Sequence, residues 1–119
     1  MAMDLATLRK LVSLDVNDPL SRFALGKKLF EEGQTPEALA EAAEHLRFAN
    51  TGAPEHLATY HILGQTLLRL GETESAKAVL REGVKRVATV GHGMGRDLGP
   101  AMAALLDDPS SVPHGPKPF

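Results

Sequence analysis

Five histidines, His45, His56, His61, His92 and His114, are the residues of this chain best suited to proton or metal chemistry. An imidazole acts as a base or a ligand only when other groups converge on it. His56 and His61 stand five apart, a spacing that does not share a helical face as an i, i+4 pair would. A metal or small-molecule site would require His61 and His92 to meet a carboxylate from another element, and nothing in the spacing demands that. The glycine-rich "GHGMG" at 91–95 follows a helix-like run. A phosphate loop instead needs strand–loop–helix order and usually a lysine, so the expectation here is a flexible helix–helix connection. Glu37, Glu41 and Glu44 are spaced as a solvated face, with Glu41 one turn before His45. There is no cysteine, hence no thiol nucleophile, disulfide or cysteine zinc site. Without an activated nucleophile or paired buried carboxylates, the expectation is no enzyme, no metal and no cofactor.

The elements that must position these residues are helical. The chain has 119 residues, the size of one domain, and 43% of them are hydrophobic. Aromatics are only 4%, with no Trp and one Tyr, so the core must be built of Leu, Ala and Val. Leu and Ala are helix formers, and β-branched residues are sparse. The net charge of −2 lacks the basic footprint expected for nucleic acid. The N-terminal stretch carries Asp4, Arg9 and Lys10 within its apolar pattern, which does not fit a signal peptide. No run approaches the ~20 apolar residues of a membrane span. These features predict a cytoplasmic protein with no membrane and no nucleic-acid partner.

Leu5, Leu8, Leu11, Val12 and Leu14 fall at mostly helical spacing over 4–14. A second helix is predicted over 19–32, capped by Asp18 or Asn17 and stopped at Gly33. A third begins at Thr35-Pro36 and reaches Asn50. A fourth covers 55–70 and stops at Gly71, a fifth runs over 73–90, and a sixth over 97–107. Leu98, Ala101, Met102 and Leu105 share a face of that sixth helix. The segment from 109 to 119 holds four of the eight prolines and reads as a disordered tail. Short connections predict that successive helices pack antiparallel.

A glycine in the middle of a helix costs about 1 kcal/mol against alanine, and this chain carries two in matching surroundings. Gly26 and Gly64 are 38 residues apart. At that offset Leu25 matches Leu63, Leu29 matches Leu67, Gly33 matches Gly71, Phe23 matches His61 and Arg22 matches Tyr60. Beyond the loop glycine the copies differ by four residues. Ala42, Leu46 and Ala49 then match Ala76, Leu80 and Gly83, and Pro54 closes the first copy. The recurrence predicts that Gly26 and Gly64, with Ala42 and Ala76 opposite, let paired helices approach closely.

"YHILGQTLLRLGETESAKAVLREG", with the divergent copy "FALGKKLFEEG" and "AAEHLRFANTGAP", resembles the tetratricopeptide repeat (TPR) family across roughly residues 17–90. That repeat is a helix–turn–helix of 34 residues. Arg22 stands at its tryptophan-like position in the first copy, Leu29 and Leu67 replace its usual tyrosine, and Gly83 replaces an alanine. The second copy lacks the closing proline. The resemblance implies an all-α fold of antiparallel helix–turn–helix repeats in a right-handed superhelix, with about six helices. The organisation would be a half-repeat-like helix over 1–16, repeats over 17–54 and 55–90, a loop and capping helix over 91–108, and the tail 109–119.

The resemblance further implies an adaptor that binds a peptide segment of a protein partner in a concave groove lined by the first helix of each repeat. Carried over residue by residue, the groove comprises Leu20, Phe23, Lys27 and Phe30 from the first repeat, and Ala58, His61, Gln65, Leu68 and Arg69 from the second. Phe23 and Phe30 would be aromatic anchors, unless both belong to the core. Lys27 would meet a ligand carboxylate. The asparagines of a two-carboxylate clamp are missing from the matching places. The alternative is a self-associating unit, a homodimer, decided by whether Leu98, Met102 and Leu105 close the end of the array or face outward.

Overall fold

The computed structural model describes residues 3–33, 35–90 and 97–112. Its described residues form six α-helices and no strand: α1 Leu5–Leu14, α2 Pro19–Glu32, α3 Pro36–Gly52, α4 Leu57–Arg69, α5 Thr73–Val90 and α6 Leu98–Asp107. The fold is all-α. The "GHGMG" connection, with His92, and the tail beyond Val112, with His114, lie outside the described residues.

The first three helices start where short polar side chains can accept a free backbone N–H, whereas α4 and α6 have no side-chain cap. Asp4 accepts from Thr7 N, Asp18 from Leu20 N and Thr35 from Ala38 N. Pro19 and Pro36 occupy first-turn positions, where no N–H is missed. At the end of α4, Gly71 has φ +83°, and its N–H reaches Leu68 O while Glu72 N reaches Leu67 O. That left-handed closure is cheap only for glycine. Gly33, at the matching place after α2, has φ −64°. Its N–H instead bonds to Phe30 O at 3.3 Å, and a Cβ there would lie 2.7 Å from Leu29 O.

The chain divides into two compact units at the Pro54–Glu55 bond. In the first unit α2 packs on α3, and α1 packs on α2. Leu25, Leu29, Ala42, Leu46 and Ala49 form its core, with Leu8 and Val12 buried from α1. In the second unit α4 packs on α5, and α6 packs on both. Leu63, Leu67, Ala76, Leu80, Met102 and Leu105 are buried there. Full burial of one such leucine contributes about 1.5–3 kcal/mol.

Gly26 and Gly64 sit at the helix crossings. A Cβ on Gly26 would stand 2.8 Å from Leu46 Cγ and 3.1 Å from Ala42 O. A Cβ on Gly64 would stand 2.5 Å from Leu80 Cδ2. The aligned leucines, Leu46 and Leu80, therefore fill the glycine notch in their two hairpins despite the four-residue difference in spacing.

The ordered chain continues past α6 as a 3₁₀ turn, Pro109–Ser111, followed by Val112, which is buried. This corrects the expectation of a disordered tail from 109. Asp108 holds the turn, its Oδ1 accepting from Ser110 Oγ at 2.6 Å and its carbonyl from Ser111 N at 3.0 Å.

Candidate functional site

Each unit is best described by itself. In the first, α1 and α2 leave an open groove of about 280 Å³. Met3, Leu8, Phe23 and Ala24 supply apolar lining, and Lys27, Lys28 and Glu31 supply charge. Phe23 and Lys27 are one turn apart on α2, so helical spacing alone puts both on this side. Lys27 Nζ lies 3.5 Å from Glu31 and Lys28 Nζ 3.0 Å from Glu32. Both are i, i+4 pairs at the surface, the first exposed at both ends and the second with Lys28 half-buried, and such pairs are worth only a few tenths of a kcal/mol each. A ligand carboxylate could therefore exchange with either glutamate at little cost. Phe30, by contrast, is buried with the core, and Leu20 is exposed. Phe23 lines this α1–α2 opening, which is not the two-repeat groove of the sequence reading, and Phe30 is not among its lining residues.

In the second unit α4 is enclosed along most of its length. Gln65 and Leu68 are buried, and Ala58, His61 and Arg69 are half-buried. Burial lowers the pKa of His61 and also that of Arg69, since a charged form is disfavoured away from water. Leu68 lines an opening of about 450 Å³ with Thr73, Asp108, Pro109, Ser110 and Val112. A second opening of about 450 Å³ lies over Leu57, bordered by Glu55, Glu82, Lys85, Arg86 and Thr89. The sequence reading missed this one. Its residues come from the start of α4 and the end of α5, and no single helical stripe joins them.

A polar cluster lies in the first unit. Arg9 grips both carboxylate oxygens of Glu41. Glu41 Oε2 lies 3.3 Å from His45 Nε2, and Arg22 Nη1 lies 3.2 Å from His45 Nδ1. A guanidinium can only donate, so His45 Nδ1 accepts from Arg22 and Nε2–H donates to Glu41. Arg22 also donates to Val16 O at 3.0 Å and stacks over the Phe48 ring at 4.3 Å. Arg9 holds the Glu41 carboxyl below the usual carboxylate range. The lone pair that His45 would need as a base is taken by Arg22. The cluster ties α1, α2 and α3 together and offers no open catalytic position. Stacked on Phe48, Arg22 occupies the place that buried Tyr60 fills in the second unit.

Among the described residues no three His, Cys, Asp or Glu side chains gather as a metal-binding group. No helix among them is long and apolar enough to cross a membrane. No family model, characterised protein or solved structure matches the chain.

Proposed function

We propose that the protein is a TPR-like adaptor of the cytoplasm that binds a peptide segment of another protein, and that it is a binding module rather than an enzyme. The observation that carries this reading is the groove of the first unit, where Phe23 and Lys27 line one opening beside buried Leu8. An aromatic floor next to an exchangeable cation suits a segment that offers an apolar side chain and a nearby carboxylate. The resemblance to the family is supported by the repeated glycine–leucine crossing, Gly26 on Leu46 and Gly64 on Leu80. A cytoplasmic setting is supported by Asp4, Arg9 and Lys10, which interrupt the apolar pattern that an export signal needs.

Selection from a displayed peptide library on the purified full chain tests the reading. Selected peptides should carry an acidic residue near an apolar one. Their affinity should fall about tenfold or more with Phe23→Ala, and by less with Lys27→Ala because that charge is exposed. Peptides whose binding ignores both substitutions would overturn it, as would a selection that yields no binder.

A further inference from the structure

We propose that α1 and the corner leading into α2 form a self-association face, through which two copies of this chain pair. Four large apolar side chains lie exposed within this one stretch: Leu11 at 36%, Leu14 at 73%, Val16 at 50% and Leu20 at 56%. Leu11 and Leu14 are one turn apart on α1 and share a face. The adjoining faces of that helix are already committed. Leu8 and Val12 are buried, and Arg9 is tied to Glu41. The exposed leucines therefore stand on an anchored helix and cannot turn inward without breaking those contacts.

The size of the face indicates its occupant. Together the four residues leave roughly 400 Å² accessible, so two such faces would bury roughly 800 Å² in total, the scale of a weak, transient dimer. Two identical faces would complete such an interface with no foreign surface. The rim is suited to the same pairing, because Lys10 and Asp15 border the leucines. Both are exposed, so across a two-fold axis each copy can set its lysine against the other's aspartate.

Sedimentation velocity of the full chain, from low to high micromolar concentration, tests the proposal. The chain should shift toward twice its 12.7 kDa mass as concentration rises. Leu14→Lys should weaken dimerisation about tenfold or more while leaving the helical circular-dichroism spectrum and the melting temperature of the monomer unchanged. Leu20→Lys, on the other helix of the corner, should act in the same direction. Lys27→Ala should not alter the mass, which separates this face from the peptide groove. A 12.7 kDa species at every concentration would overturn the proposal, and so would dimers that tolerate both lysine substitutions.

Discussion

His61 carries the clearest electrostatic consequence of burial at a single residue. Its folded-state pKa is lowered, so the unfolded chain binds the proton more readily. Stability must then fall as pH drops below the ordinary histidine value of about 6.5. The melting temperature should decrease between about pH 7 and about pH 5, and His61→Gln should flatten that decrease by on the order of a few degrees. Glu41 acts in a separate window, because its lowered pKa costs stability only where carboxylates take up protons. Gly64 gives a second test at this scale. Alanine there gains about 1 kcal/mol of helix propensity, but its Cβ meets fully buried Leu80. Overpacking costs about 1–3 kcal/mol, so Gly64→Ala should be net destabilising in urea titration. Leu80→Ala should then cost less in the Gly64→Ala background than on its own, read as the coupling in a double-mutant cycle. The close approach was legible because glycine and alanine recur in register. The separate fates of Phe23 and Phe30 were not. Helical spacing puts them seven residues apart on similar faces, and it does not say where a third helix will cover one and leave the other.

Helix ends were the most legible feature at the level of elements, because each start has its own chemistry. Asp18 and Thr35 both accept the backbone N–H groups expected of a cap. Thr35→Ala should therefore destabilise the chain by about 1 kcal/mol in chemical denaturation, with the loss traceable to the first turn of α3 by amide exchange. The ends that were misread depend on contacts outside the local pattern. α3 runs to Gly52 rather than stopping at Asn50, and its close is a bond from Ala53 N to Ala49 O at 2.8 Å. The prolines after α6 read as disorder, yet Asp108 and its two serines make a turn there and Val112 is buried. Proline content is a local signal, whereas the burial of one valine is a tertiary one. The opening over Leu57 escaped for the same reason, since its lining comes from two separate helices.

Apolar surface is distributed unevenly over the whole molecule. Met102 and Leu105 of α6 are buried in the second unit, so that helix closes its own apolar face. In the first unit α1 buries Leu8 and Val12 but leaves Leu11 and Leu14 in solvent. If α6 serves stability and the outer face of α1 serves assembly, substitutions in the two helices should separate those properties. Met102→Ala removes a fully buried side chain and should cost about 2–5 kcal/mol, seen as a lower midpoint in urea, with the concentration dependence of the sedimenting mass unchanged. Leu14→Lys should do the reverse, shifting the mass while the urea midpoint measured on the monomer holds. A Met102→Ala chain that stays folded but no longer associates would require α6 to be part of the assembly face. A Leu14→Lys chain that loses monomer stability would mean that Leu14 belongs to the fold and not to a partner's surface.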